Sequence, residues 1–207
     1  MAHAATGHAP AHHPTNTGTD NRKLLMWFFL GSECLFFGSL IATYLIFKGD
    51  SIVGPFPHPH GDEHGILDIP LTSTSTFVLL MSSVTMVLAV YGAQHNLPKM
   101  MKLSLLATVL LGIGFLGFQV YEFRHFAHEG LTLSTNIFGA TFYVMTGFHG
   151  THVAVGVLYL SSLLLGSFRR SGLGPETGFH VETAGLYWHF VDIVWIVIFT
   201  VVYLIPD

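Results

Sequence analysis

The stretch LLMWFFLGSECLFFGSLIATYLIF, residues 24–47, is apolar throughout except for one acidic side chain, Glu33, and a few small polar residues. A helix of roughly 20 apolar residues is long enough to cross the ~30 Å hydrocarbon core of a bilayer. Strands of a membrane barrel would alternate apolar and polar side chains, and this stretch does not. Comparable runs follow at about 71–93, 103–123, 138–168 and 183–205. The sequence therefore predicts an all-α fold, an integral membrane bundle of five transmembrane helices that forms one domain over residues 23–207.

The overall composition supports lipid as the solvent of this chain. Of its 207 residues, 51% are hydrophobic and only 10% are charged, whereas about a quarter of the residues of a soluble domain are charged. The net charge of −4, with histidine counted as neutral, gives no basic footprint for nucleic acid. The single cysteine, Cys34, excludes an internal disulfide and any site built from several cysteines.

Two polar segments of the chain are rich in histidine. Residues 1–22 lack the apolar core of a signal peptide, and we interpret them as a disordered cytoplasmic tail. The histidines of this tail are His3, His8, His12 and His13. The connection 48–70 is rich in proline, histidine and acidic residues, and we interpret it as an ordered surface loop that contacts a partner. We expect no metal site in either segment.

The basic residues predict the orientation of the bundle, because cytoplasmic loops of membrane proteins are enriched in Lys and Arg. If the helices alternate in direction, Lys48 and Arg124 fall on one side of the membrane. The basic residues on the other side are Arg22, Lys23, Lys99, Lys102, Arg169 and Arg170. We therefore expect the N-terminus in the cytoplasm and the C-terminus outside.

Five ionisable residues lie inside the predicted helices, where each needs a partner or a cavity because a charge in the bilayer is costly. Glu33 lies about ten residues into the first helix, which is roughly 14 Å deep at 1.5 Å per residue. Asp192 lies at nearly the same depth in the fifth helix, with His189 one turn away on the same face. His149 and His152 fall near the middle of the fourth helix. We expect the five side chains to share one layer, with Glu33 hydrogen-bonded or ion-paired to one of the three histidines.

The residues alone leave three interpretations of this layer open. In the first, the groups pair with one another and fix helix packing. In the second, they bind metal, as Glu122-x-x-His125 and His149-x-x-His152 suggest. Di-iron bundles use Glu-x-x-His twice with two further glutamates. Here the motif occurs once, so we expect no metal. In the third, they line a polar cleft for lipid, proton or substrate, although the broken-helix repeats of many transporters are not evident.

Four short strings carry a resemblance to a known family. They are SECLFF at 32–37, VYEF at 120–123, TGFHGTHV at 146–153 and YWHFVDIVW at 187–195. Together they resemble subunit III of the haem–copper respiratory oxidases, in order and with matching helix spacing from about Leu24 to Ile205. The mitochondrial member of that family has two further helices at its N-terminus. The chain therefore resembles the short bacterial form with five helices.

The resemblance implies a subunit without redox groups of its own, because haem and copper in this family belong to subunits I and II. It implies packing against subunit I, a cleft that holds phospholipid, and support for stability and proton uptake during aerobic electron transport. The family's buried polar residues correspond here to Glu33, His149, His152, His189 and Asp192, and a lipid phosphate is expected near Arg169 and Arg170. No residue is assigned a catalytic role.

The same resemblance leads to three further expectations. The location is the bacterial cell membrane, where the complex could join a larger respiratory supercomplex. The expected electron donor is cytochrome c, with quinol as the alternative. A stand-alone di-metal enzyme and a transporter are the distant alternatives to an oxidase subunit.

Overall fold

The computed structural model describes residues 20–48, 54–55, 67–169 and 175–205, and this part of the chain is largely helical. Each of five helices is long and apolar enough to cross a membrane. The helices are α1 (Asn21–Ile46), α2 (Ile69–Gln94), α3 (Pro98–His128), α4 (Ile137–Arg169) and α5 (Pro175–Phe199), and α5 continues as a π-helical turn, Thr200–Leu204. The prediction of an all-α fold with five membrane-spanning helices is thereby confirmed.

Two helices extend well beyond the apolar runs that predicted them. α3 covers 98–128 rather than 103–123, and α5 begins at residue 175 rather than 183. An apolar run marks the part of a helix that lipid can surround, whereas Lys, Arg, Glu and Gln continue a helix readily in water. The predicted bounds therefore follow the apolar part of each helix and not the whole helix.

The predicted tail (1–22) and the predicted surface loop (48–70) lie mostly outside the described residues. At the described end of the predicted tail, Asp20 caps α1 by accepting a hydrogen bond from a first-turn N–H at 2.9 Å. Asp68 caps α2 in the same way at 3.0 Å. An acidic N-cap satisfies an otherwise free N–H and complements the helix dipole, so these two aspartates fix where the helices begin.

The helices α2 to α5 form a closed ring of contacts, in which each packs against the next and α5 packs against α2. α1 lies outside this ring and packs against α4 and α5. It is the least enclosed of the five helices, and its outward side exposes Leu25, Phe28 and Leu35. In a bilayer this face meets lipid or another subunit.

Glycines let α3 and α4 approach the large indole of Trp188 on α5. Trp188 is almost fully buried, and a Cβ atom built on Gly112 would lie 2.7 Å from its Cη2 atom. A Cβ atom on Gly156 would lie 2.8 Å from its Cζ3 atom. Both distances are well below the ~3.5–4.0 Å optimum for two carbon atoms. The small residues that allow close helix approach in membranes here make room for one tryptophan.

Candidate functional site

Glu33 of α1 and His152 of α4 are in direct contact inside the bundle. Glu33 Oε2 lies 3.2 Å from His152 Nε2, and the side chains are 18% and 19% exposed, respectively. His152 Nδ1 lies 2.8 Å from the carbonyl oxygen of Phe148; a carbonyl oxygen only accepts hydrogen bonds, so Nδ1 carries a hydrogen. A proton between Nε2 and the carboxyl group would make the pair an imidazolium–carboxylate ion pair or a neutral carboxyl–imidazole pair.

Two cavities follow the seam between α1 and α4. The first, of about 360 Å³, lies beside the pair and is lined by Met26, Phe29, Glu33, Thr151, His152, Val155, Tyr159 and Tyr187. The second, of about 220 Å³, is lined by Leu40, Thr43, Ala140, Thr141 and Val144. Between them Phe36 and Phe148 meet edge to face, with ring centroids 5.1 Å apart. We call the two cavities and this constriction the α1–α4 groove; its walls are mainly apolar and aromatic.

His149 lies one turn from His152 on α4 and occupies the centre of the bundle. It is completely buried, and its ring stacks on Trp195 of α5 with centroids 4.8 Å apart. The rings of Phe37 and Phe115 meet it edge-on at 6.5 and 5.9 Å. Neither ring nitrogen has a hydrogen-bond partner among the described residues. His149 is thus surrounded by aromatic rings and does not join the pair described above.

Asp192 and His189 lie on the side of α5 that faces α2. Asp192 Oδ2 accepts a hydrogen bond from the hydroxyl of Ser83 at 2.6 Å, whereas its Oδ1 has no partner within the described structure. His189 lines a third cavity, the α2–α5 cavity, of about 270 Å³. Its other lining residues are Val87, Val90, Tyr91, Gln94, Glu182, Gly185 and Leu186.

The five predicted residues therefore form a row across the bundle. Glu33 and His152 stand at the α1–α4 groove, His149 lies in the centre, and Asp192 and His189 stand toward α2. As far as the described residues go, direct contact within the row is limited to Glu33 and His152. Of the three histidines considered as partners of Glu33, the structure selects His152.

One buried acid was not predicted to belong to this polar system. Glu122 of α3 is almost fully buried and accepts hydrogen bonds from Thr72 Oγ1 at 2.5 Å and from Tyr203 Oη at 3.0 Å. It thereby joins α2, α3 and the π-helical turn. From the sequence we considered Glu122 only as part of a metal motif, because it lies near the outer end of its predicted helix.

The signal that could have revealed this acid is the hydroxyl content of α2. Buried serines and threonines in a membrane helix bind polar groups on neighbouring helices, and α2 is rich in both over residues 69–85. Trp188 Nε1 donates to Ser82 Oγ at 2.9 Å, and Trp195 Nε1 donates to Thr76 Oγ1 at 3.0 Å. The hydroxyl groups of such a helix need hydrogen-bonding partners, and side chains of α3 and α5 supply several of them.

Ion pairs tie the beginning of α1 to α5. Arg22 Nη1 lies 2.9 Å from Glu176 Oε2, and Lys23 Nζ lies 2.5 Å from Glu182 Oε1. From the sequence, both basic residues were markers of orientation only. Because their partners are on a helix far along the chain, these pairs also help to place α1 against the bundle.

Some of the other predicted sites lie beyond the described residues or do not assemble. The side chain of Arg169 and all of Arg170 lie outside them. Within the described part of the chain, no group of three or more His, Cys, Asp and Glu side chains is placed to hold a metal ion. In the Glu-x-x-His motif of α3, Glu122 is buried whereas His125 is exposed. The fold and the polar row thus define a multi-pass helical membrane protein whose intramembrane polar groups bind one another across helices.

Comparison with known proteins narrows this class to one family. The family model described as "Cytochrome c oxidase subunit III" matches residues 5–206. "Quinol oxidase subunit 3" of Bacillus subtilis (strain 168) is 39% identical over 206 residues, which cover 99% of this chain and 97% of that protein. "Cytochrome c oxidase subunit 3" of Bacillus sp. (strain PS3) is 41% identical over 196 residues, which cover 95% and 91%.

The chain therefore belongs to the cytochrome c oxidase subunit III family, and the predicted resemblance is confirmed. It is subunit III of a haem–copper oxidase complex, which is an oxidoreductase. Its partners accordingly include other oxidase subunits. The relatives comprise subunits of both cytochrome c oxidases and quinol oxidases.

Proposed function

We propose that this chain is a non-catalytic subunit that stabilises the oxidase, holds phospholipid in the α1–α4 groove and supports proton uptake by its partner subunits. The observation that carries this proposal is the contact between Glu33 and His152 in the wall of a laterally open apolar groove. Haem and copper are held by subunits I and II in this proposal, and the chain packs against subunit I.

The groove has the shape and chemistry expected of a site for acyl chains. Its two cavities, of about 360 and 220 Å³, follow one seam and are lined mainly by aliphatic and aromatic side chains. Hydrocarbon in such a groove contacts Met26, Phe29 and Val155, and the Glu33 carboxyl group in its wall has His152 as a partner. Arg169 and Arg170 are the proposed partners of a lipid phosphate, because α4 extends to Arg169 and Arg170 follows it in the sequence.

The Glu33–His152 pair supplies the proposed link to protons. Its shared proton can reside on either of two atoms 3.2 Å apart without changing the total charge of the pair. Because the total charge of the pair stays the same, moving this proton adds no net charge to a wall that faces lipid. The electrostatic cost of the movement is therefore low. The wider polar site proposed here consists of Glu33, His149, His152, His189 and Asp192.

The proposed setting is the bacterial cell membrane, with the N-terminus in the cytoplasm and the C-terminus outside, as the distribution of basic residues indicates. The proposed domain structure is a His-rich tail, 1–22, and a membrane domain, 23–207. Membership of a larger respiratory supercomplex is part of the same proposal.

Cytochrome c is the proposed electron donor, and quinol is the alternative. The proposal rests on the string YWHFVDIVW at 187–195 and on the acidic residues of the loop after Asp62. The relatives named for the two donors are similarly close, at 39% and 41% identity. Measuring oxygen consumption by the purified complex with reduced cytochrome c and with a quinol distinguishes the two donors.

Purification in mild detergent through a tag on this chain tests the assignment as a non-redox subunit. We expect haem-bearing companions and a haem spectrum in the complex, and no stoichiometric iron or copper in the chain expressed alone. Metal in the isolated chain would support the stand-alone enzyme instead. Solute movement in vesicles that contain this chain alone would support the transporter.

A pair of variants tests the role of the groove. Glu33→Ala should increase the loss of phospholipid and of this subunit during detergent washing, while the haem spectrum of the assembled complex stays unchanged. Glu129→Ala is the matched control, because Glu129 is exposed at the end of α3. A lost haem spectrum in an otherwise intact Glu33→Ala complex would contradict the proposed supporting role.

A further inference from the structure

The centre of the polar row contains hydrogen-bonding atoms that the protein itself does not satisfy. His149 is completely buried, and neither ring nitrogen has a partner among the described residues. A neutral imidazole has one N–H donor and one acceptor nitrogen, and a buried polar atom without a partner costs about 1–3 kcal/mol. The nearest rings offer no free polar group, because the indole N–H of Trp195 is donated to Thr76.

A second unsatisfied atom lies nearby on α5. Asp192 is buried, with Oδ2 bound to Ser83 and Oδ1 without a partner within the described structure. Asp192 precedes Trp195 by three residues, and Trp195 is the ring on which His149 stacks at 4.8 Å. Asp192 therefore lies about one helical turn, roughly 5 Å along α5, from the residue against which His149 packs.

The chemistry of these atoms identifies the ligand class. A ligand between them must donate to a carboxyl oxygen and must either donate to or accept from one nitrogen of an imidazole. Water does this, and a buried water usually makes about three hydrogen bonds to otherwise unsatisfied groups. A metal ion is the weaker choice, because the described residues offer no third ligand here. Water can also bridge two polar groups that do not reach each other directly.

We propose that ordered water binds between His149 and Asp192 and joins the centre of the polar row to its α2 side. The Glu33–His152 pair remains a separate contact at the other end of the row. His189, one turn from Asp192, extends the row to the α2–α5 cavity. This site is independent of whether the α1–α4 groove holds lipid.

The direction of this row has a physical consequence. By residue count its members lie within about one turn of the same depth, so the proposed water link runs sideways through the bundle and not from one face of the membrane to the other. The aromatic rings of Phe37, Phe115 and Trp195 enclose the centre of the row.

A density map of the complete oxidase complex, at a resolution that shows ordered waters, tests the proposal directly. We expect a water peak within about 3 Å of a His149 ring nitrogen, and a continuous path of one or two waters to Asp192 Oδ1. His149→Phe keeps an aromatic ring against Trp195 and removes both nitrogens, so the peak beside residue 149 should be lost. The Asp192–Ser83 hydrogen bond should persist in that variant.

Glu33→Gln is the matched control, because it changes the neighbouring pair and leaves His149 and Asp192 intact; the water should remain. A dry site in the wild-type map, a direct protein partner for the ring nitrogens, or a water path unchanged in His149→Phe would each overturn the proposal. If His149→Phe does not assemble, the wild-type map alone decides.

Discussion

Removing the contact between Glu33 and His152 should measurably loosen the attachment of α1. Both side chains are about four-fifths buried and join two helices through one N···O contact of 3.2 Å. A hydrogen bond to a charged group contributes about 1.5–3 kcal/mol in soluble proteins. Interhelical hydrogen bonds in a membrane protein averaged about 0.6 kcal/mol, with a maximum near 1.7 kcal/mol. Because this contact is long for an ion pair, we expect a coupling of about 1 kcal/mol.

A double-mutant cycle of Glu33→Ala and His152→Ala measures this coupling separately from the packing that each side chain also provides. The readout is the free energy of unfolding of the full chain in mixed micelles, from denaturing-detergent titration. Glu33→Gln should retain most of the stability, because its amide N–H donates to the unprotonated Nε2 of His152. This result is expected for either protonation state of the wild-type pair.

A second cycle, of Glu33→Ala with His189→Ala, serves as the control. Glu33 and His189 line different cavities, so their effects should add within about 0.3–0.5 kcal/mol, as effects of separated sites do. If the Glu33–His152 cycle is equally additive, the contact does not hold α1 and the reasoning is refuted.

The other predictions concern packing, the buried acid and the charged end of α1. Gly112→Ala should destabilise the chain by about 1–3 kcal/mol through overpacking. A Cβ atom at Gly117 would meet open space, so Gly117→Ala should be neutral or stabilising by up to about 1 kcal/mol. The same unfolding assay compares the two variants. Tyr203→Phe should cost about 1–2 kcal/mol, because it removes a donor from buried Glu122, and an unchanged unfolding midpoint would contradict that estimate. Lys23→Gln should change stability by less than about 1 kcal/mol, and the small effect should shrink with added salt in an unfolding series at several ionic strengths.

The helices were predictable because lipid imposes a simple requirement on the chain. A segment that crosses the hydrocarbon core must be long, apolar and hydrogen-bonded within itself, and those properties are visible in the sequence. The ends were not visible in the same way: residues 98–102 and 175–182 are polar enough to leave the bilayer, yet they remain helical.

The depth of the candidate-site residues was predictable from the sequence, but the neighbouring helix that each side chain faces was not. Counting residues along each helix placed Glu33, His152 and Asp192 at similar depth. It could not show that His152 turns toward α1 while Asp192 turns toward α2, because that depends on which helices are neighbours. Glu122 was missed for a related reason, since its partners Thr72 and Tyr203 belong to helices whose adjacency only the structure shows.

The manner in which α1 is held explains why a groove exists beside it. Burial from water does not drive helices together inside lipid, so association depends on packing and on polar contacts. The ring of α2 to α5 packs closely around Trp188, whereas α1 is the least enclosed helix. Its polar contacts lie at three levels: Lys23 with Glu182, Glu33 with His152, and Lys48 Nζ with the carbonyl oxygen of Ile205 at 2.5 Å. Fastened at its ends and near its middle, α1 can stand away from α4 between those points, and the two cavities of the α1–α4 groove lie in the intervals.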